Sequence, residues 1–363
     1  MSADLIAKLL SPHLKSLQPY ESARRLFKGG KASEQAWMNA NESPFTNDYS
    51  LDCDTLNRYP DCQPPAVISA YAAYSGVTPE QTLVSRGADE GIELLIRAFC
   101  EAGQDSVLIC PPTYGMYAIS AKTFNVGVEQ APLKADFSLD IDAISQYVGK
   151  VNVVFICSPN NPTGTDVGKA QLQQVLELFA DSALVVVDEA YIEFTQQQSW
   201  AAELASYPNL VILRTLSKAF ALAGIRCGFT LAAPEIIQEL LKVIAPYPLA
   251  EPVIQIAVQA LSDEGVKRTQ SQVTLLNQQK HWLQQQLGEM PAITLVGDTA
   301  ANFVLMRLDD KQALMDYLVA NGILIRDQSK QLNLANCLRI SIGSEQQNLR
   351  LLNAIQQFYA QKG

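Results

Sequence analysis

The stretch Val151-Asn152-Val153-Val154-Phe155-Ile156-Cys157 runs without a break into Ser158-Pro159-Asn160-Asn161-Pro162-Thr163-Gly164. An apolar run that does not alternate with polar residues fits a strand covered on both faces, as in a parallel sheet between helix layers. The chain repeats this phrase. Thr82–Ser85 leads into Arg86-Gly87-Ala88-Asp89-Glu90-Gly91 and a helical pattern over Ile92–Cys100, and Val107–Cys110 leads into Pro111-Pro112-Thr113-Tyr114-Gly115. Leu184–Val187 ends at Asp188-Glu189-Ala190-Tyr191, and Leu210–Leu213 ends at Arg214-Thr215-Leu216-Ser217-Lys218. The expected fold class is therefore α/β, with a mostly parallel central sheet flanked by helices. Open α/β sheets bind ligands beyond the carboxyl ends of their strands, where all these polar clusters fall, so one site built from several loops is expected.

Beyond Ala260 the texture changes. A Gln-rich helical pattern over Thr269–Leu287 carries Val273, Leu276, Leu283 and Leu287 on one side. Strand candidates follow at Ile293–Val296, Phe303–Leu308, Ile323–Arg326 and Leu338–Ile342, and Ser344 with Gln347 forms a capping box for a last helix. This reads as a smaller α+β domain. At 363 residues and about 150 residues per domain, two domains are the expectation.

Composition excludes more than it names. With 27 basic and 37 acidic residues the formal net charge is −10, and no Lys/Arg-rich run is present, so no nucleic-acid partner is expected. No 18-residue apolar run occurs, the N-terminal residues lack a long apolar core, and no membrane association is expected. The seven cysteines contain no CxxC, and reduced, buried thiols in a cytoplasmic protein fit them better than disulfides. Two histidines, His13 and His281, lie in polar stretches far apart, so neither a His-ligated metal nor a Ser-His-Asp triad is expected.

The chemistry-bearing set is Asn161, Asp188, Lys218 and Arg226, in that order. Alone, Lys218 reads as an exposed lysine after a strand. Together the four suit an aldehyde-bearing pyridine cofactor with a phosphate: a lysine to condense with the aldehyde, an acid for the ring nitrogen, donors for a ring hydroxyl and a cation for the phosphate. The turn Ser85–Gly91 suits the phosphate, because Gly87 and Ala88 permit close approach to a helix N-terminus. Asp89 is also an N-cap candidate. Tyr114 could stack on the ring or be a half-buried loop tyrosine. Gly164-Thr165-Asp166-Val167-Gly168-Lys169 imitates a phosphate loop, but it is one residue short and Ala170 replaces the required hydroxyl, so it reads as the start of a surface helix.

These motifs, with Leu56-Asn57-Arg58-Tyr59-Pro60, Ala223-Gly224-Ile225-Arg226, Ala245-Pro246-Tyr247-Pro248, Ile325-Arg326-Asp327-Gln328 and Leu338-Arg339-Ile340, make the chain similar to the fold-type-I pyridoxal-phosphate aminotransferases. The resemblance extends over most of the chain and is to the branch that acts on histidinol phosphate. It implies pyridoxal 5'-phosphate as cofactor and transamination between histidinol phosphate/imidazole acetol phosphate and 2-oxoglutarate/glutamate, a step of histidine biosynthesis. It implies that Lys218 holds the cofactor aldehyde and shuttles the proton, that Asp188 pairs with the ring nitrogen, and that Asn161 and Tyr191 hold the ring hydroxyl oxygen. Ala88, Asp89, Ser217 and Arg226 would bind the phosphate and Tyr114 would stack. Tyr59 would reach the phosphate in the neighbouring subunit of a homodimer. Tyr20, Asn41, Arg326 and Arg339 would bind substrate, the arginines serving carboxylate and phosphate alike. The implied domains are 44–270 for the large cofactor-binding unit, and 1–43 with 271–363 for the small one. Competing readings are an aromatic-amino-acid aminotransferase or a threonine-phosphate decarboxylase on the same fold, and a catalytically silent cofactor-binding protein.

Overall fold

The computed structural model describes residues 3–17, 35–298 and 300–361. After the short strand β1 (Ala36–Trp37), the central sheet is built from β2 (Thr82–Ser85), β3 (Ser106–Ile109), β4 (Gly127–Gln130), β5 (Val153–Cys157), β6 (Leu184–Asp188), β7 (Leu210–Thr215) and β8 (Gly228–Ala232). Their order is β2-β8-β7-β6-β5-β3-β4. All neighbours pair in parallel except at β8, which is antiparallel to both β7 and β2. The expected strands lie within a residue or two of these. β4 and β8 were not anticipated, and β8 makes the sheet mixed.

The non-alternating strand sequences have a direct physical reading. Within β5, Val153, Phe155 and Cys157 pack into one apolar cluster while Val154 and Ile156 pack into another on the opposite face. β6 and β7 divide likewise, Val186, Val211 and Leu213 against Val185, Val187, Leu210 and Ile212. Helices Ala88–Phe99, Met116–Thr123 and Pro234–Leu241 cover the first face; Pro65–Ser75, Lys169–Leu178 and Asp263–Gly288 cover the second. Each such side chain taken fully out of water is worth about 1.5–3 kcal/mol, so both layers are needed to hold the sheet.

The second sheet is antiparallel, in the order β12-β13-β10-β9, from β9 (Thr294–Val296), β10 (Phe303–Arg307), β12 (Arg326–Asp327) and β13 (Cys337–Ser341). The single strand expected at Ile323–Arg326 is two short ones. β11 (Ile323–Leu324) pairs in parallel with β1, and after Ile325 the chain changes partner and β12 joins β13. Residues 36–38 thereby lie against the C-terminal part of the chain. Ser344 and Gln347 form the expected capping box on helix Glu345–Ala360. Among the described residues no helix is long and apolar enough to cross a membrane. Cys110, Cys157, Cys227 and Cys337 are buried thiols.

The helix expected over Thr269–Leu287 extends over Asp263–Gly288 and passes unbroken through residue 270. Its Lys280 is 2% exposed and donates to the Ala301 carbonyl at 2.9 Å. Burial pushes the amine down to about 8, with Asp298 and Asp166 acting in the opposite direction. Between about pH 8 and the ordinary lysine value of about 10.4 the unfolded chain therefore carries a proton there that the native chain has lost, so stability from this group rises with pH. Urea midpoints at about pH 8 and about pH 10 should show the native protein gaining stability relative to Lys280→Met; a relative loss would contradict this account.

Candidate active site

The carboxyl ends of β5, β6 and β7 open into a cleft of about 710 Å³. At one end lies the turn after β2. Gly87, with φ +80°, is the N-cap of helix Ala88–Phe99, and no side chain caps the helix. Asp89 is therefore not the N-cap. It sits in the first turn, and its carboxylate accepts from the Tyr114 hydroxyl at 2.9 Å and from Arg226 Nη2 at 3.2 Å. Arg226 also donates from Nη1 to Ser217 Oγ at 3.2 Å, and Ser217 is held by Thr215. Ala88, Asp89, Ser217 and Arg226 thus converge on one helix N-terminus, an arrangement suited to an anion. The packing there is tight: a Cβ on Gly228 would lie 2.4 Å from Gly87 C and Ala88 N.

Asp188 ends β6 and is 3% exposed. Its Oδ2 accepts from Tyr117 Oη at 2.7 Å and its Oδ1 from the Ala190 amide at 3.1 Å. Burial pushes the carboxyl up to about 6 although both bonds pull it down. Beside it, Tyr191 Oη accepts from Asn41 Nδ2 at 2.9 Å, and Asn161 Oδ1 accepts from Arg339 Nη1 at 2.5 Å. Burial also holds the Tyr191 hydroxyl above its usual value, so it stays a donor.

Lys218 lies just beyond β7, with Nζ donating to the Ala40 carbonyl at 3.0 Å and standing 5.7 Å from the Tyr191 ring centre. Burial, then the Arg339 guanidinium, lowers the amine to about 8. A lysine that can lose its proton near neutral pH suits nucleophilic and base chemistry.

The cleft wall opposite is the antiparallel sheet. Arg326 and Arg339 are register partners on β12 and β13, and both line the cleft. Arg339 is 6% exposed and also donates to the Asn39 carbonyl at 2.9 Å. Asn41, with φ +54°, is fixed through Ser341 and Asn302. Tyr20 and the Arg24-Arg25 pair lie outside the described residues. Tyr59 is not among the lining residues; it is 81% exposed and stacks on Tyr247 with ring centres 4.4 Å apart. His281 is exposed, and His13 Nε2 meets the Thr123 carbonyl. The imitation phosphate loop runs as irregular chain up to helix Lys169–Leu178.

Sequence reading missed Tyr117, and also Glu42, Gln328 and Gln331, which line the cleft. It also missed Arg214, whose buried guanidinium pairs with Glu189 at 2.9 Å and Glu193 at 3.1 Å and ties β7 to the segment bearing Tyr191. A charged residue inside an apolar strand was the available signal for Arg214, since a buried charge requires a partner.

Residues 25–355 match the family model for aminotransferase class I and II. A histidinol-phosphate aminotransferase of Pseudoalteromonas atlantica is 66% identical over 98% of this chain and 96% of its own. One from Pectobacterium atrosepticum is 54% identical over 97% of each. The solved histidinol-phosphate aminotransferase of Sinorhizobium meliloti, in complex with pyridoxal-5'-phosphate, superimposes with a TM-score of 0.85 over 98% of both chains at 22% identity, a likeness of fold.

A phosphorylated pyridine aldehyde fits the residues present. The uncapped helix N-terminus with Arg226 suits the phosphate, the buried Asp188 suits a protonated ring nitrogen, and Lys218 suits the aldehyde. Gly228→Ala tests how tightly the phosphate end is built. The added Cβ meets backbone rather than a movable side chain, so a loss of about 1–3 kcal/mol of stability is expected, together with weaker binding of pyridoxal phosphate in a fluorescence titration. Unchanged stability and affinity would show that the turn yields freely.

Proposed function

This chain belongs to the aminotransferase class I and II family, and on that premise we propose that it is the transaminase of histidinol phosphate. It exchanges an amino group between L-glutamate/2-oxoglutarate and imidazole acetol phosphate/L-histidinol phosphate, a step of histidine biosynthesis, with pyridoxal 5'-phosphate as cofactor. The observation that carries the substrate is the 66% identity to a histidinol-phosphate aminotransferase over nearly the full length. Nothing in the cleft favours the aromatic-amino-acid, decarboxylase or silent-protein readings over it.

The cofactor, when bound, supplies an aldehyde carbon that accepts amines and a ring that takes up an electron pair. The residues named here are our assignment. Ala88, Asp89, Ser217 and Arg226 hold the phosphate; Arg226 and the helix N–H groups offset its charge, and Asp89 orients Arg226 and the Tyr114 hydroxyl. Tyr114 lies against the ring. Asp188 holds a proton at the ring nitrogen. The Asn161 amide and the Tyr191 hydroxyl bind the ring oxygen; Arg339 occupies Asn161 Oδ1, which leaves the Asn161 NH2 for that role. Lys218 would hold the aldehyde, and its amine would carry the proton between the substrate Cα and the carbon that was the cofactor's aldehyde. Its lowered proton affinity makes the neutral amine accessible for that task.

Arg339 and Arg326, with Asn41 and Tyr20, bind substrate. A pair of guanidinium groups on one wall serves a carboxylate from glutamate and a phosphate from histidinol phosphate in turn, because both anions accept paired N–H bonds. The large cofactor-binding unit is placed at 44–270 and the small unit at 1–43 and 271–363, with the long helix Asp263–Gly288 spanning the division. The protein is assigned to the cytoplasm. A homodimer is also assigned, in which Tyr59 serves the partner's phosphate site. The exposed Tyr59–Tyr247 stack, with Leu51 and Leu56 nearby in sequence and half exposed, supports a covered surface there.

Addition of histidinol phosphate to the loaded protein should bleach its visible cofactor band, and 2-oxoglutarate should restore it; phenylalanine should bleach the band far more slowly. Lys218→Ala should abolish turnover, and Arg339→Lys should weaken glutamate and histidinol phosphate together by at least about tenfold. Equal bleaching by all amines would overturn the substrate assignment. Sedimentation should give twice the 39.7 kDa chain mass, and a monomer would remove the role of Tyr59.

A further inference from the structure

Tyr117 takes no part in the assignments above, yet it makes the shortest side-chain contact to Asp188, 2.7 Å from Oη to Oδ2. It is fully buried. Its ring stacks on Phe155 of β5, centres 4.8 Å apart and planes within 5°, and meets Tyr114 edge-on at 5.5 Å and 85°. Tyr114 lies in the loop just before helix Met116–Thr123 and Tyr117 in its first turn, so one ring lines the cleft while the other's phenol reaches the acid. With the ring held on two sides, the hydroxyl has little freedom to turn away. The other Asp188 oxygen is taken by the Ala190 amide. The two bonds fix the carboxylate's orientation at the end of β6.

We propose that Tyr117 is a positioning residue for the transamination: its hydroxyl holds Asp188 ionised and aimed, so that the acid keeps its proton partner on the ring nitrogen of a bound pyridine cofactor. This rests on the assignment of Asp188 to that nitrogen.

The physical need is plain. Asp188 is buried, and burial alone favours its neutral form. A neutral carboxyl would no longer favour a protonated ring nitrogen, and the ring would lose its capacity to take up an electron pair. A hydrogen bond donated to the charged oxygen favours the ionised form, and in a dry site such a bond counts for more than at the surface. The carboxyl, pushed up to about 6 with both bonds in place, has little margin at neutral pH. Without the phenol it moves further toward neutrality. The loss must therefore be largest on the acid side, a signature that a packing role does not share.

Tyr117→Phe removes one oxygen and keeps both ring contacts. The apoprotein is titrated with pyridoxal phosphate between about pH 6 and pH 8.5 by fluorescence quenching, with melting temperature as the check on folding and kcat/KM across the same range. The expected result is an affinity about tenfold weaker near pH 6, a smaller deficit at pH 8.5, and an acid limb of kcat/KM displaced upward by about one pH unit, the scale of one charge-assisted hydrogen bond. Placing 3-fluorotyrosine at position 117, a stronger donor, should displace the limb the other way. A pH-independent loss that follows the melting temperature would make Tyr117 merely structural and overturn the proposal, as would two variants that titrate like the native protein. If the native apoprotein itself fails to bind pyridoxal phosphate, the cofactor assignment falls instead.

Discussion

The register between β5, β6 and β7 is the constraint on which the rest depends. Cys157 pairs with Asp188 and Asp188 with Leu213, so β5 and β6 end at one level, β7 runs two residues further, and all three hand their loops to the same cleft. Because alternate residues belong to opposite clusters, a slip of one residue would drive every buried side chain to the wrong face. Packing on both faces therefore fixes, to within a side chain, where Asn161, Asp188 and Lys218 stand relative to one another. The chemistry inherits its precision from valines and isoleucines that never touch a ligand.

A second constraint is electrostatic. The protein is acidic overall, but its cleft gathers Lys218, Arg226, Arg326 and Arg339. The cations are kept apart by function: Arg226 is partnered by Asp89 at the helix terminus, while Arg339 is tied to Asn161 and the Asn39 carbonyl. Lys218 lies between them, and Arg339 and Arg226 both lower its affinity for a proton. The arginines that suit anions thus also help to make the lysine a base.

The strands and their terminal turns were legible because a doubly covered strand has a distinctive, non-alternating sequence. β8 was not, since Gly228–Ala232 follows a loop motif rather than preceding one and carries no polar cluster at its end. The break at Ile325 was not legible because the chain stays extended through it, and only the change of partner separates the two strands. Asp89 looked like a cap because its type is right, but Gly87 already supplies the turn with its positive φ. Tyr117 escaped because an aromatic three residues after another at a helix start reads as ordinary core. What reveals it is a partner 71 residues away. Pairs such as Arg339 with Asn161, 178 residues apart, lie beyond any local pattern. Their chemical types could be read from the sequence; their proximity could not.

The clasp around Asn41 bears on how the molecule comes into being. Asn41 adopts a left-handed backbone and is bound by Ser341, 300 residues further on, and by Asn302. Contacts of that span are the last to be rewarded, because a long loop must close before they form. A chain emerging from the ribosome can lay down β2 through β8, with their two apolar layers, well before residue 339 exists. Such an intermediate has the floor of the cleft and its acid, but neither the clasp on Asn41 nor the guanidinium against Asn161. The floor of the pocket can therefore form before its substrate-facing wall, which waits for Arg326, Arg339 and the clasp on Asn41.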